Sequence, residues 1–358
     1  MAIDRVVSTL ALNTEEERAN WSLRPTRMDE YIGQADLISR LRIAVEAAKL
    51  RGDPLEHVLL HGPPGLGKTT LAHVIGAEMG TRVHLTSGPA LTRPLDLVTA
   101  LKQLQPGDIL FIDEIHRTPV AVEEFVYPAM EDFRIDVNLD SGLHARTVQV
   151  PIAPFTLIGA TTRAGLVSAP MRSRFGLTHH LTFYSREDLL HILRRSGRLL
   201  GMTPQPGGPT ADHGLESALG LIADRSRGTP RIANRLLRRV RDYSMVRGQG
   251  RLDERVARAA LDLEGIDPLG LDPLDRAYLT GIRRIYQGGP VGLEAIAATM
   301  NEDAGTLEDV VEPYLLQLGF LTRTRRGRMI TRAATEHLGL PPPVESEPRA
   351  EREADGLF

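Results

Sequence analysis

Gly62-Pro63-Pro64-Gly65-Leu66-Gly67-Lys68-Thr69 follows the aliphatic run Val58-Leu59-Leu60 and precedes a helical pattern from Thr70 to Met79. Glycines in such a turn let backbone N–H groups face phosphate oxygens, and a helix start adds positive potential at the same place. Lys68 then supplies a compact charge for the terminal phosphates, and Thr69 a hydroxyl for Mg2+. Gly65, Gly67, Lys68, Thr69 and Thr70 are therefore candidate ATP ligands. The chain has only three lysines, Lys49, Lys68 and Lys102, so a lysine at this position is not background. A second acidic site is needed, and Ile109-Leu110-Phe111-Ile112-Asp113-Glu114 supplies it: four strand residues ending in two carboxylates. Asp113 can hold the water shell of Mg2+, and Glu114 can polarise a water for attack on the γ-phosphate, so hydrolysis as well as binding is expected. A switch GTPase would carry a base-reading Asn-Lys-x-Asp segment; the sequence has none, which favours ATP.

These motifs need a scaffold of strands and helices. Apolar residues Leu37, Leu41, Ala44, Val45 and Ala48 recur at helical spacing ahead of the first strand. The runs Val58–Leu60, Val83–Leu85, Ile109–Ile112 and Phe155–Gly159 alternate with helical stretches and predict a parallel sheet covered on both faces, an α/β fold. Between the last two runs, Ile135, Val137 and Leu139 alternate with Asp136, Asn138 and Asp140 ahead of Ser141-Gly142, which predicts a projecting hairpin over 135–150. After Tyr184 the pattern is helical, broken by the Pro/Gly-rich stretch 201–214 and again at 265–273. Three further helices and a hairpin, Phe320 to Thr331, then predict a winged helix. The expected division is 1–184 for the nucleotide domain with an N-terminal arm, 185–264 for a helical lid, 265–340 for the winged helix and 341–358 for a disordered tail.

The 358 residues carry 43 basic and 46 acidic side chains, a net charge of -3, so affinity for a polyanion must come from local clusters. One is Arg323, Arg325, Arg326, Arg328 and Arg332, with no acid between Thr322 and Arg332. Like charges on a thin ribbon fit contact with a phosphate backbone, and Arg323 and Arg328 are the chosen DNA-binding candidates. A second cluster, nine arginines and one acid between Arg225 and Arg251, reads as a solvated or subunit-facing helix surface apart from Arg231, which follows the helix-start pair Thr229-Pro230. The chain has no cysteine, which excludes disulfides and thiol chemistry. No apolar stretch is long enough to span a bilayer, so a cytoplasmic location without membrane contact is expected.

Taken with the P-loop, the strings Asp113-Glu114-Ile115-His116-Arg117, Tyr127-Pro128-Ala129-Met130-Glu131-Asp132, Gly159 to Gly165, Arg227 to Arg235 and Gly288 to Leu293 resemble the RuvB family, the bacterial AAA+ motors of Holliday-junction branch migration. The similarity runs from about Leu23 to about Leu340. It implies a P-loop AAA+ core, a helical lid and a C-terminal winged helix, assembled as a hexameric ATPase ring that translocates duplex DNA. It further implies a γ-phosphate sensor at Thr162 and an arginine finger at Arg174 that reaches the ATP of a neighbouring subunit. Leu23, Arg24, Tyr31, Ile32 and Tyr184 would enclose adenine, Glu131, Asp132 and Phe133 would face the next subunit's nucleotide, and Arg231 would contact phosphate in cis. The 135–150 hairpin would dock a RuvA-like junction-binding protein, and a RuvC-like resolvase could join the larger complex. Two departures stand out: the lid is roughly ten residues longer than the family pattern between Gly201 and Arg231, and the acidic tail is extra. An ATP-dependent switch or clamp-loader-like DNA-binding protein is the alternative, and a winged-helix regulator with a vestigial nucleotide site a third.

Overall fold

Five strands, β1 (Val58–His61), β2 (Val83–Ser87), β3 (Ile109–Asp113), β6 (Thr156–Thr161) and β7 (Leu177–His180), form an all-parallel sheet in the order β2-β3-β6-β1-β7. In the computed structural model, residues 21–138, 147–202 and 209–341 are described. The expected N-terminal arm, the turn at Ser141-Gly142 and the tail from 342 onward lie outside the described residues. Parallel strands need crossover helices, and α1 (Ala35–Arg51), α2 (Lys68–Met79), α3 (Pro94–Lys102), α4 (Val120–Asp132) and the short α5 (Ala169–Ser173) accompany the sheet. Only the central strands are apolar on both faces: β6 is buried throughout and β1 and β3 nearly so. The edge strand β2 is half-exposed, with Leu85 at the surface, and β7, Leu-Thr-His-His, has no apolar run to reveal it.

One face of the sheet packs Leu59, Leu110, Ile112, Leu157 and Phe155 against Leu97 and Leu101 of α3 and Val122, Val126 and Met130 of α4. β4 (Arg134–Asn138) and β5 (Thr147–Pro151) pair antiparallel as the expected hairpin, with Ile135 opposite Val150. Ile135 itself is fully buried in the core, so it anchors the hairpin and belongs to no docking surface, contrary to the expectation for the whole 135–150 segment.

The helical lid follows as α6 (Arg186–Leu199), α7 (Pro209–Asp224), α8 (Pro230–Arg247) and α9 (Glu254–Leu263). The break predicted over 201–214 is shorter than composition suggests, because α7 already begins at Pro209, where a proline costs a helix no hydrogen bond. Three of the arginines read as a solvated face are interior: Arg225, Arg227 and Arg235 are each under 5% exposed. Thr229 is the N-cap residue of α8, but its hydroxyl donates to Arg227 O rather than capping the helix.

The chain divides into two compact units, Met1–Ala260 and Leu261–Phe358. The second opens with α10 (Pro273–Ile285), whose start is fixed by reciprocal bonds between Asp272 and Asp275, and continues with α11 (Leu293–Met300). The next helix, α12, runs from Ala304–Thr306 through a π turn, Leu307–Val311, into Glu312–Gln317. Pro313 accounts for that turn: it has no N–H and its ring crowds the carbonyl of Asp309 one turn earlier, so the helix widens there. β8 (Leu321–Thr324) and β9 (Gly327–Ile330) form the wing, and Arg332 starts α13 (Arg332–His337) rather than lying on the ribbon.

A half-buried histidine joins α4 to the sheet. His57 Nδ1 accepts from Leu157 N at 2.9 Å, so Nε2 carries the hydrogen and donates to Met130 O at 3.0 Å. Burial lowers its pKa, since the imidazolium would lose both solvent and the Leu157 bond. A histidine depressed in the folded state binds fewer protons than in the unfolded chain, so its contribution is intact above the unfolded value near 6.5 and is lost as pH falls below it. Urea unfolding from pH 7.5 to 5.5 should show stability falling with acidity, and a His57→Gln variant should show a flatter dependence; parallel slopes would contradict this assignment.

Candidate nucleotide site and nucleic-acid interface

The sheet order brings the phosphate-site motifs together. β6 lies between β1 and β3, so the P-loop after β1, Thr162 just past β6 and Asp113 at the end of β3 emerge side by side at the carboxyl edge of the sheet, about 5 Å apart per strand. Gly62, Gly65 and Gly67 have φ of 142°, 79° and 99°, a region open to glycine. α2 starts at Lys68 with no side-chain cap and no acid in its first turn, so its leading N–H groups are left for an anion. Thr69 and Thr70, half-buried, sit in that first turn.

Lys68 is 7% exposed, and its Nζ donates to Gly62 O at 2.8 Å and Pro63 O at 2.9 Å. Burial lowers its pKa to about 8; the carboxylates of Asp113 and Glu114 oppose that shift and the charge of Arg231 adds to it. α8, the third lid helix, thus places Arg231 within electrostatic reach of the P-loop lysine. Asp113 Oδ1 accepts from Glu114 N at 3.0 Å. Glu114 takes a left-handed φ of 50°, and its carboxylate lies 3.5 Å from Nε2 of the buried His116, whose Nδ1 pairs with Thr161 Oγ1 at 2.9 Å. His116 stands in a quoted motif but had no role; it ties the acid turn to the end of β6. Thr161 is the last strand residue and fully buried, and Thr162, the sensor candidate, follows it half-buried.

Tyr31 and Tyr184 meet beside the P-loop. Tyr184 Oη donates to Tyr31 Oη at 3.2 Å and lies 3.3 Å from Leu66 O, and burial pushes Tyr31 up to about 12 and Tyr184 higher still. Ile32 is half-buried next to Tyr31, and Leu23 is buried with its carbonyl accepting from Arg195 at 2.6 Å. Arg24 stacks over Trp21 at 4.6 Å. The sequence reading missed Gln34, which exchanges bonds with Thr182 N and O and so clamps the N-terminal segment to the chain leaving β7. Arg195 was also missed; it holds the carbonyls of Leu23 and Arg24.

Arg174, just after α5, stacks over Tyr127 at 4.3 Å and pairs with Glu131 at 3.1 Å, while Nη1 donates to Pro170 O at 2.7 Å. Every partner it has among the described residues lies on α4 or α5, none in the P-loop. Of the neighbouring candidates only Glu131 joins it: Asp132 pairs with Arg134, and Phe133 turns toward Phe155 in the core.

On the wing, Arg323 and Arg328 sit directly opposite one another. The ribbon has no acid in sequence, but α12 supplies two: Arg323 Nε donates to Glu312 at 2.6 Å, Arg328 Nε to Glu312 at 3.0 Å, and Glu308 lies 3.5 Å from Arg328. Arg332 pairs with Glu336 on α13. The picture of a bare cationic ribbon therefore applies only to Arg325 and Arg326, exposed at its turn.

A phosphate-binding loop on a five-stranded parallel sheet, paired acids two strands away, a helical lid and a separate winged helix define an AAA+ P-loop ATPase with a nucleic-acid-binding head. Three family models match in series: the Holliday junction DNA helicase RuvB P-loop domain over residues 23–181, the RuvB AAA lid domain over 184–267 and the RuvB C-terminal winged helix domain over 268–339. The chain belongs to the RuvB family. The Thermotoga maritima RuvB Holliday junction branch migration motor is 48% identical, with a TM-score of 0.79 covering 90% of this chain and 100% of that one. Two variants of the same protein give a TM-score of 0.80 at 48% identity, covering 90% and 89% of this chain and 99% and 100% of theirs. No described helix is long and apolar enough to cross a membrane.

Gly62 tests how tightly the loop is drawn. A Cβ there would lie 2.3 Å from Leu181 O, with φ in a region that L residues avoid. Gly62→Ala should cost about 1–3 kcal/mol of local strain and weaken nucleotide binding at least about tenfold, measured by titration with a fluorescent ATP analogue. Affinity equal to that of the unaltered protein would show that the loop yields freely.

Proposed function

We propose that this protein is the ATP-driven motor of Holliday-junction branch migration, working as a hexameric ring that moves duplex DNA. The observation that carries the ring is the placement of Arg174. It is held by Tyr127, Glu131 and Pro170 and makes no contact with its own P-loop among the described residues, which fits a role toward a neighbour's ATP once these contacts are exchanged. Charge spreads over the transferred phosphoryl oxygens as the bond to the leaving group breaks, and an arginine supplied there accelerates hydrolysis by about 10³ to 10⁵. Within one subunit, Lys68 meets the terminal phosphates, the leading N–H groups of α2 cradle them, and Glu114 orients the attacking water. Thr162 and Arg231 report the γ-phosphate to the sheet and the lid. Tyr31, Ile32 and Tyr184, with Leu23 and Arg24, enclose the base.

The donor set fits Mg2+: the Thr69 hydroxyl and Asp113 stand at the same edge of the sheet, and this ion takes few protein ligands beside phosphate and water. When bound, the ion would neutralise phosphate charge, with Thr69 and Asp113 as the residues that would hold it. The domain division 1–184, 185–264 and 265–340 matches this allocation of tasks: hydrolysis, coupling and DNA contact. Phosphate contact by Arg323 and Arg328 suits a motor that must step along any sequence. The hairpin beyond Ile135, with Val148 exposed, is the docking element for a RuvA-like partner, a RuvC-like resolvase joins the larger complex, and the cytoplasm is the site of action.

Two measurements test this. Arg174→Ala subunits and Lys68→Ala subunits, each inactive alone, should recover part of the ATPase activity when mixed, because each supplies what the other lacks. Absence of activity at every ratio would argue against a shared site. ATP should also dissociate a synthetic four-way junction in the presence of a junction-binding partner; turnover without strand exchange would favour the ATP-dependent switch.

A further inference from the structure

Arg323 and Arg328 pose a physical problem that the fold answers. They are cross-strand partners on β8 and β9, and like charges directly opposite one another repel. Beneath them lies Glu312, fully buried at the start of the α-helical part of α12, which follows the π turn. Its Oε2 accepts from Arg323 Nε at 2.6 Å and its Oε1 from Arg328 Nε at 3.0 Å. The same Oε1 accepts from Tyr278 Oη of α10 at 2.6 Å, a phenol that is itself fully buried. Both carboxylate oxygens are therefore committed, and the group is locked from the side away from the wing.

A buried carboxylate held this firmly is not displaced by an incoming phosphate. It acts as a template. Glu312 grips Arg323 through Nε and Nη2 and Arg328 through Nε, and Glu308 lies beside outer nitrogens of both, which fixes the two guanidinium planes on the wing, where Arg323 keeps 41% of its side chain exposed and Arg328 18%. We infer that Glu312 is a positioning residue for DNA binding, orienting Arg323 and Arg328 as a preformed phosphate clamp, with Tyr278 fixing Glu312 in turn. The inference rests on the reading of Arg323 and Arg328 as phosphate contacts. The two arginines and the two carboxylates of Glu308 and Glu312 balance in charge, so long-range attraction falls to Arg325 and Arg326 at the turn, while the clamp supplies geometry.

The sign of one substitution separates this from plain electrostatics. Glu312→Gln keeps the shape and removes a negative charge beside the DNA site, so a charge-only interface would bind duplex DNA more tightly. A template predicts the reverse: binding weakened roughly tenfold, the order found when a group that orients a ligand's direct partners is removed. Fluorescence anisotropy on the full chain with a labelled duplex, without nucleotide and across a salt series, gives the reading, and basal ATPase activity without DNA should be unchanged. Tyr278→Phe alters no charge at neutral pH and should weaken binding in the same direction by a smaller factor; it decides the matter if Glu312→Gln perturbs the head domain's folding. Unchanged or tighter binding by a folded Glu312→Gln, or unchanged binding by Tyr278→Phe where the former does not fold, overturns the inference. Arg323→Ala and Arg328→Ala run alongside: if neither weakens binding, the phosphate-contact reading fails and takes the template with it, whereas weakening by both with no loss in Glu312→Gln removes the template alone.

Discussion

The nucleotide site depends on keeping a lysine ammonium out of water without losing its charge. Lys68 is almost fully buried, held by two carbonyls of the loop it belongs to, and burial brings its pKa down to about 8. The nearby carboxylates of Asp113 and Glu114 limit that fall, so the ammonium keeps its charge near neutral pH. The sheet order makes the decision possible, because it places the strand that carries Asp113 and Glu114 two positions from the strand that feeds the loop. A phosphate adds further negative charge at the same point, so nucleotide and lysine stabilise each other. The glycines, the uncapped start of α2 and the closeness of Arg231 all serve that one exchange of charge.

The wing solves a related problem with the signs reversed. There the cations are crowded and a buried carboxylate makes the crowding tolerable, whereas at the P-loop a buried cation is made tolerable by nearby acids. Both places hold long charged side chains in fixed geometry beside groups of opposite sign.

Much of this could be read from residue types and spacing. The P-loop and the Asp113-Glu114 turn are legible because chain neighbours perform the chemistry, and the central strands because burial on both faces leaves an unbroken apolar run. β7 was missed because an edge strand needs no such run, and its Leu-Thr-His-His gives no periodic signal. The buried Arg225, Arg227 and Arg235 were read as a solvated face because arginine is seldom interior, and nothing local distinguishes a cation that has found partners. Glu308 and Glu312 escaped for another reason: acids 11 to 20 residues from the ribbon become its counterions only once α12 folds beneath it. Gln34 and Arg195 likewise act across more than 140 residues of chain. The Arg174 assignment came from family resemblance; geometry supplied Tyr127 and Glu131 as its supports.

Tyr184 occupies an unusual junction. Its backbone N–H is bonded to Gly228 O at the approach to α8, its hydroxyl reaches Leu66 O in the phosphate loop, and the chain enters the lid immediately after it. One residue thus fastens the phosphate loop, through its hydroxyl, to the approach to α8, through its backbone, at the very point where the chain passes into the lid.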